Sequence, residues 1–110
     1  MADFDVNISP REAIEIIDNE IVNKTVTGEK INEYVRQFDD KIIAVIVYEK
    51  HYLRAENRLT LTVVIDNLQE ATHVHLVGGG GGQGLFNFDG GAAHDFEICA
   101  YAALFDYVVK

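Results

Sequence analysis

One uninterrupted β-branched segment constrains the fold of this chain more than any other feature. Residues 42–48 read IIAVIVY, so every position carries an apolar side chain. Successive side chains of a strand point to opposite faces of its sheet, and this strand is therefore apolar on both faces. We expect it to lie centrally in a sheet, covered on each side or covered by a partner.

Period-two alternation predicts three further strands and a shorter one. Residues 59–65 alternate most cleanly, with leucine, valine and isoleucine on one face and threonine on the other. The same pattern predicts strands over 4–8 and 72–77, and a short strand over 85–88. Turns are expected at Asp39-Asp40 and from Asp66-Asn67, where polar turn formers interrupt the pattern.

Two helices are predicted, one near each end of the chain. Ser9 and Glu12 have the spacing of a capping box, and Pro10 suits the first helical position, so a helix begins here and ends near Asn23. A second helix is expected from about Ala92 to Val108. Apolar side chains cover most of its circumference, which indicates deep burial or contact with a partner.

These elements predict a single α+β domain spanning residues 1–110. We expect an antiparallel β-sheet meander of four or five strands after the first helix, with the N-terminal helix and the long C-terminal helix packed on one face. Residues 29–38 are ambiguous. Ile31, Tyr34, Val35 and Phe38 fit helical spacing, so periodicity alone favours a helix there.

The charge balance excludes several function classes. Nine basic and eighteen acidic residues give a net charge of −9, which has the wrong sign for binding nucleic acid or an anionic membrane surface. No Lys or Arg lies between Arg58 and Lys110. Lys41, Lys50, Arg54 and Arg58 either converge into one cationic site or act as scattered partners for surplus carboxylates, and the second interpretation is favoured.

The location expected for this protein is the cytoplasm. The sequence starts with acidic residues and lacks the basic and apolar regions of a signal peptide. No apolar run approaches the roughly 20 residues needed to cross a bilayer. A single cysteine, Cys99, excludes an internal disulfide framework and a zinc ribbon.

A glycine-rich run at residues 78–84 is the most unusual local feature. Gly79, Gly81 and Gly84 fit the spacing of a dinucleotide-binding fingerprint. That motif requires a following helix, whereas a strand pattern follows here. We interpret the run as a bulged, bent or flexible strand where another backbone or a ligand comes close.

His73 and His75 lie on one face of a predicted strand and are weak candidates for metal ligands. A third ligand would have to come from His51, His94 or Asp66, and nothing in the sequence places these nearby. An exposed polar face is therefore the favoured interpretation, and no metal is expected.

No set of residues in the sequence resembles a catalytic site, and we expect neither an enzyme nor a bound cofactor. Ser9 is the only serine, and the helix cap uses it, which excludes a Ser-His-Asp triad. Cys99 lies in the apolar stripe of the last helix, where a buried structural thiol is expected rather than a nucleophile.

The segment after the central strand offers the best candidates for ligand binding. It mixes aromatic, cationic and amide side chains that suit a small acidic or polar ligand, although an exposed polar loop is the favoured interpretation. The candidates are Tyr48, Tyr52, Arg54, Asn57 and Arg58.

Several of these segments together resemble a family of small bacterial proteins known only as a domain of unknown function. The resemblance rests on Tyr48-Glu49-Lys50 with Arg54, on Asn57-Arg58 before Leu59-Thr60-Leu61, on Gln83-Gly84 with Phe86-Asn87-Phe88, and on Gly91-Ala92 before the last helix. It implies a single-domain protein with no catalytic residues to carry over. It also implies that residues 25–37 pair as a strand with 42–48. The long glycine run and the pair His73 and His75 depart from the family pattern.

The function predicted from the sequence is a non-catalytic binding or self-associating module. A homo-oligomer formed through the apolar C-terminal helix is expected, and nucleic acid and membranes are not expected as partners. The alternative is a small-molecule binder similar to the helix-grip proteins, with a cavity between the sheet and the C-terminal helix.

Overall fold

The computed structural model describes residues 1–52, 57–80 and 92–110. These ranges form one antiparallel sheet in the order β1-β5-β4-β3-β2. The α+β prediction is confirmed, and the predicted strand over 85–88 lies outside the described residues. The strands are β1 (Ala2–Val6), β2 (Glu29–Phe38), β3 (Lys41–Tyr52), β4 (Asn57–Gln69) and β5 (Ala71–Gly80). The helices are α1 (Pro10–Asp18), continued by a π-helical turn (Asn19–Asn23), and α2 (Ala92–Leu104), continued by a 3-10 turn (Phe105–Tyr107).

Helix α1 begins as the sequence predicts. The Ser9 hydroxyl accepts a hydrogen bond from the Glu12 amide, and the Glu12 carboxylate accepts one from the Ser9 amide, each at 3.1 Å. Pro10 occupies the first turn, where its missing N–H costs nothing. The buried side of α1 and its π-helical turn then packs on the sheet through Ala13, Ile14, Ile17 and Ile21.

The hydrophobic core lies between the two helices and one face of the sheet. β3 and β4 are register partners over ten positions, and their alternate side chains point into this core. Helix α2 contributes Phe96, Ala100 and Leu104 to the same cluster. The sheet contributes Val6, Ala44, Ile46, Tyr48, Leu59, Leu61, Val63, Ile65, Val74 and Leu76.

Residues 29–38 form strand β2, so the helix that periodicity favours there is wrong and the resemblance-based strand is confirmed. β2 is an edge strand paired only with β3 among the described residues, with a register irregularity between Lys30 and Asn32. Nine of its ten residues are exposed. Because the side chains of this edge strand are almost all exposed, burial does not impose a strict alternation on its sequence, and a helical spacing can occur there by chance.

Both predicted turns are confirmed, and the second begins within the last residues of β4. Asp39 has a positive φ of 54° in the β2–β3 turn. The Glu70 amide donates a hydrogen bond to the Asn67 carbonyl at 3.2 Å, which closes a turn in which Glu70 has a φ of 77°. Strand β4 itself extends to Gln69, beyond the predicted strand end at Ile65. The Asn67 side chain explains this extension: its Oδ1 accepts a hydrogen bond from the Ile42 amide at 2.8 Å, which ties this part of β4 to the start of β3.

Helix α2 ends earlier than predicted, at Leu104 instead of Val108. The chain beyond its 3-10 turn runs along the outer edge of β1, where Val108 forms an isolated bridge with Val6. The Asn7 amide donates to the Tyr107 carbonyl, and the Val109 amide donates to the Asp5 carbonyl, both at 2.8 Å. Pairing with an otherwise open strand edge satisfies backbone groups that a longer helix would leave unpaired.

The start of the glycine run belongs to β5, and α2 passes so close to Gly78 that a side chain would not fit there. A side chain at Gly78 would place its Cβ 2.2 Å from the Ala93 carbonyl oxygen. Gly80 has a φ of +79° and would place its Cβ 2.5 Å from the Arg58 carbonyl oxygen. The predicted close approach of another backbone is thus observed at these glycines, while residues 81–84 lie outside the described part.

Candidate interaction surface

The face of the sheet opposite the helices, here termed the open face, carries an apolar stripe. At its centre Val45 pairs with Val64, while Val47 and Val77 are register partners of Thr62 on either side. None of these residues belongs to the core cluster, and no helix in the described ranges packs on them. The apolar stripe consists of Ile43, Val45, Val47, Val64 and Val77.

A cluster of two histidines and two carboxylates, termed the β1–β5 cluster, borders the stripe on one side. His73 Nδ1 lies 2.7 Å from Asp5 Oδ1, and His73 Nε2 lies 3.0 Å from Asp3 Oδ1. His75 Nδ1 lies 2.7 Å from the same Asp3 oxygen. The four side chains meet because β1 and β5 are antiparallel neighbours with Asp3 opposite His75 and Asp5 opposite His73.

The pKa values within this cluster move in opposite directions. Hydrogen bonding to Asp5, and then to Asp3, raises the pKa of His73 above its ordinary value of 6.5. Hydrogen bonding to His75, and then to His73, lowers the pKa of Asp3 below its ordinary value of 3.8. Both shifts favour the charged forms, so the cluster is a set of ion pairs when His73 is protonated.

An open groove of about 700 Å³ adjoins the cluster at the end of the sheet where β4 turns into β5. Asp66 adds a third carboxylate to this groove, beside Asp3, Asp5 and His73. Three carboxylates around one concave surface create a negative potential. This end of the open face therefore favours a cationic group.

The opposite border of the apolar stripe is formed by β2 and carries a cation. Arg36 and Tyr34 are register partners of Ile43 and Val45, which places both on the open face. Arg36 Nη1 donates a hydrogen bond to the Tyr34 hydroxyl at 3.0 Å. In the part of the chain that the structure describes, Arg36 forms no ion pair with a carboxylate, so its charge remains available to a partner.

The predicted ligand-binding residues are divided between the two faces of the sheet. Tyr48 is fully buried on the core face, where its hydroxyl donates a hydrogen bond to Asp18. Arg58 lies on the open face, 3.6 Å from the Glu49 carboxylate, and is exposed. The structure therefore does not bring Tyr48 and Arg58 together.

Two of the other three candidates, Tyr52 and Asn57, are the last residue of β3 and the first residue of β4. Tyr52 and Asn57 are register partners at the ends of the two strands. Arg54 lies outside the described residues. The cleft predicted around these side chains stays a prediction.

Tyr48 instead belongs to a polar group at the edge of the core. Lys30 Nζ lies 2.9 Å from Asp18 Oδ2 and 2.6 Å from Glu33 Oε1. Burial, together with the hydrogen bond to Asp18, raises the pKa of Tyr48 above its ordinary value. The phenol therefore acts as a permanent donor that joins α1 to the sheet.

Two of the four basic residues that the sequence analysis considered, Lys41 and Lys50, lie far apart in the sheet. Lys41 and Lys50 lie toward opposite ends of β3 and on opposite faces of the sheet. The Lys41 ammonium donates to the Asn67 carbonyl at 3.2 Å. The favoured prediction of scattered cations agrees with the positions of these two lysines.

The histidines found in the sequence bond to carboxylates that sequence reasoning missed. The structure contains no group of three or more His, Cys, Asp or Glu able to hold a metal ion within residues 1–52, 57–80 and 92–110. Asp3 and Asp5 were overlooked as partners, although they alternate with Phe4 and therefore lie on one face of their strand. The alternation in the sequence shows that Asp3 and Asp5 share a face, but no local sequence pattern shows that β1 pairs with β5.

Helix α2 has a buried side and a partly exposed side. Ile98 and Phe105, which follows the helix, are about half exposed.

Two titratable side chains of α2 have shifted pKa values. Cys99 is partly buried, and burial raises the pKa of its thiol. Burial alone raises the pKa of Glu97, but hydrogen bonds from the Met1 ammonium and the Gly78 amide outweigh it and lower that pKa. No helix in the described ranges is long and apolar enough to span a bilayer.

The comparisons with known proteins place the chain in a family and add no activity. No curated protein and no solved structure shows significant similarity to it. One family model, described as Family of unknown function (DUF6054), matches residues 1–106. That match covers almost the whole chain and agrees with the resemblance read from its motifs, and this protein therefore belongs to the DUF6054 family.

Proposed function

We propose that this protein is a non-catalytic module that self-associates through the open face of its sheet. The observation that carries the proposal is the uncovered apolar stripe. An antiparallel sheet with one solvated face normally alternates apolar and polar residues, so that the outward side chains are polar. Strand β3 departs from that rule at Ile43, Val45 and Val47, which face outward.

The dimensions of the open face suit a second copy of the chain. Five strands spaced about 4.8 Å apart form a sheet roughly 24 Å wide, and the rows from Ile43 to Glu49 span about 20 Å along the strands. These dimensions give a flat area of roughly 480 Å², and the side chains add to it, against the roughly 800 Å² per partner of a standard interface. Two sheets packed face to face also form a common and stable arrangement.

The non-catalytic part of the proposal rests on how the reactive side chains are used. Ser9 caps α1 through its hydroxyl, and Cys99 has a raised pKa that keeps its thiol protonated. A reduced, partly buried thiol also suits the cytoplasmic location that we propose.

The C-terminal helix remains the competing interface. Its exposed residues Ile98 and Phe105 are separated by Ala102, which is also exposed. They form a narrower apolar surface than the five-residue stripe of the open face. We therefore propose the open face as the main interface and treat Ile98 as the test position for the helix.

A small-molecule binder is the second candidate, and the position of α2 is the observation that favours it. The helix lies across β4 and β5 on the core side of the sheet, where a helix-grip-like cavity would form. The facing side chains Phe96, Ala100 and Leu104 are at most 4% exposed and belong to the continuous core cluster. Native mass spectrometry of a monomer with a reproducible small adduct would support this candidate.

The experiment is sedimentation velocity over a wide concentration range with matched charge variants. Val45→Glu places a carboxylate in the apolar stripe, and we expect the dissociation constant to rise roughly 30-fold or more, since central interface residues contribute about 2 kcal/mol or more. Val26→Glu is the control, because Val26 is 98% exposed and lies in none of the five strands. Val45→Thr provides a milder variant that retains strand propensity.

Three outcomes decide between the candidates. Association lost in Val45→Glu but retained in Val26→Glu and Ile98→Glu supports the open face. Association lost only in Ile98→Glu shows that the helix is the interface and overturns our choice of surface. A wild-type protein that stays monomeric at every concentration overturns the self-association proposal.

A further inference from the structure

The β1–β5 cluster lies inside the surface that the proposed self-association buries. This inference rests on the open-face interface proposed above and concerns how that interface is regulated. His75 is the register partner of Val64 and lies two residues from Val77 along β5, so it is a direct neighbour of the apolar stripe. A second copy that covers Val64 and Val77 therefore also covers His75 and approaches the rest of the cluster.

The cluster is partly exposed in a single copy and loses water when a partner covers it. The side chains of His73 and His75 are 41% and 32% exposed, and those of Asp3 and Asp5 are 49% and 46% exposed. Removing water from a net charge costs more free energy than removing it from a balanced set of ion pairs. The protonation state of the histidines therefore affects how readily this surface can be buried.

Three carboxylates face the two histidines from the strands on either side of β5. β1 and β4 are the neighbours of β5 in the sheet. Asp3 and Asp5 lie opposite the histidines on β1, and Asp66 lies opposite His73 on β4. These three carboxylates carry a local charge of −3 when both histidines are neutral, and two protonated histidines reduce it to −1.

The other charged groups of the open face do not supply the missing positive charge. The strand registers place two more carboxylates and three cations on this face in the described ranges, namely Glu29, Glu49, Arg36, Lys41 and Arg58. Five carboxylates and three cations give the described face a net charge of −2 while its histidines are neutral. A third histidine, His51, lies opposite Arg58 at the far end of the face.

Self-association sets this net charge against itself. Two copies that meet through the same surface present the same net charge to each other, whichever two-fold axis relates them. Like charges brought together at an interface weaken association. Protonation of His73 and His75 brings the net charge of the described face from −2 to zero, so it removes this repulsion.

We propose that self-association through the open face is coupled to proton uptake by His73 and His75, so that association tightens as the pH falls and weakens as it rises. The direction follows from linkage, because the state that binds more protons is favoured at lower pH. Hydrogen bonding to Asp5, and then to Asp3, raises the pKa of His73 above its ordinary value of 6.5, which moves its protonation toward neutral pH.

Sedimentation velocity of the full chain at about pH 6 and about pH 8.5, at matched ionic strength, tests the coupling. We expect the wild-type dissociation constant to be about tenfold higher at the upper pH, where the like charges of the two faces oppose each other. In the double variant H73Q/H75Q it should stay near the wild-type value of the upper pH throughout, because glutamine takes up no proton. His94→Gln is the matched control, since His94 is an exposed histidine on α2 and lies outside the open face.

Asp5→Asn tests the coupling with the opposite sign. It removes one negative charge from the open face of each copy, and its amide oxygen can still accept a hydrogen bond from His73. We expect association at the upper pH to tighten about threefold, because less like charge is brought together. An unchanged or weaker association of Asp5→Asn at the upper pH contradicts the role of repulsion.

The outcomes separate the coupling from the interface on which it rests. A dissociation constant that rises with pH in the wild type and in His94→Gln, but not in H73Q/H75Q, supports the proposal. A dimer that Val45→Glu disrupts, and whose dissociation constant is the same at both pH values, overturns the coupling and keeps the open-face interface. A pH dependence that survives in H73Q/H75Q, or that His51→Gln removes, overturns the assignment to the β1–β5 cluster. A wild type that is monomeric at both pH values overturns the self-association as well. Thermal unfolding at each pH confirms that every variant is folded.

Discussion

The two faces of the sheet are built from similar residues, but the helices cover only one of them. Val63 and Val64 are neighbours in β4 and have the same side chain, yet Val63 is fully buried against the helices and Val64 lies on the open face. The same contrast runs along β3, where Ile46 faces the core and Val47 faces outward. Residue type therefore does not distinguish the faces.

The difference between the faces comes from the helices. α1 and its continuation present one buried side, and α2 is long enough to cross β4 and β5, so together they cover one face. No third layer is available in the described part of the chain. The apolar stripe on the uncovered face is the observation on which the proposed self-association rests.

The largest expected effect is a change in the free energy of unfolding, in a comparison of the two neighbouring valines of β4. Val63→Ala should lower the free energy of unfolding by about 2–3 kcal/mol, because it removes two buried methyl groups and leaves a cavity. Val64→Ala should lower it by less than about 1 kcal/mol when the protein is diluted to the monomer. Urea denaturation followed by circular dichroism measures both. Equal losses in dilute protein would mean that the open face is covered within one copy.

The next effect compares two tyrosines on opposite faces. Tyr48→Phe should cost about 1–2 kcal/mol of unfolding free energy, because it removes a buried hydrogen bond to the Asp18 carboxylate. Tyr34→Phe serves as its control, since the Tyr34 hydroxyl is exposed and only accepts a bond from Arg36. That variant should change the monomer's stability by less than about 0.5 kcal/mol. A loss as large as that of Tyr48→Phe would contradict the contrast between the faces.

The smallest effect concerns the pH dependence of the β1–β5 cluster. The pKa of His73 is raised in the folded state, so its contribution to stability is complete below the ordinary value of 6.5 and is lost as the pH rises through the folded pKa. The pKa of Asp3 is lowered, so its contribution is present above 3.8 and is lost as the pH falls through the folded pKa. The charged groups facing His73 are Asp3 and Asp5 on β1, His75 on β5 and Asp66 on β4.

His73→Gln tests this dependence while keeping a hydrogen-bonding side chain. As the pH rises above 6.5, wild-type stability should decline more than that of His73→Gln, in thermal unfolding at matched ionic strength. The control variant is His94→Gln, because His94 is an exposed histidine on α2 and lies outside the β1–β5 cluster. Parallel pH profiles for wild type and His73→Gln would show that His73 does not contribute to the pH dependence of stability.

Local chemistry was enough to predict the elements whose signals are local. The capping box placed the start of α1, and alternation placed β4 and the outward side chains of His73 and His75 on β5. Edge strand β2 was misread by periodicity because its exposed side chains obey no burial pattern. The extent of β4 was misread because Asn67 bonds to the backbone of β3, a contact far away in the sequence.

The candidate interaction surface could be predicted only in part. The sequence indicated that residues 42–48 need cover on both faces, and it singled out the two histidines. It selected Tyr48 for ligand binding, whereas the structure puts Tyr48 in the core and an apolar stripe on the opposite face. The expected self-association through the C-terminal helix stays a prediction. The apolar stripe could not be located without knowing which face the helices cover.

By itself, the sequence determined the class of fold, because hydrophobic periodicity and capping act over a few neighbouring residues. It also determined that one strand would be apolar on both faces. Only the tertiary structure decided which of those faces the helices close and that Asp3 and Asp5 meet His73 and His75 across β1 and β5. These outcomes depend on the order of strands in the sheet and on the side where α1 and α2 pack, and both are set by contacts between residues that are distant in the chain.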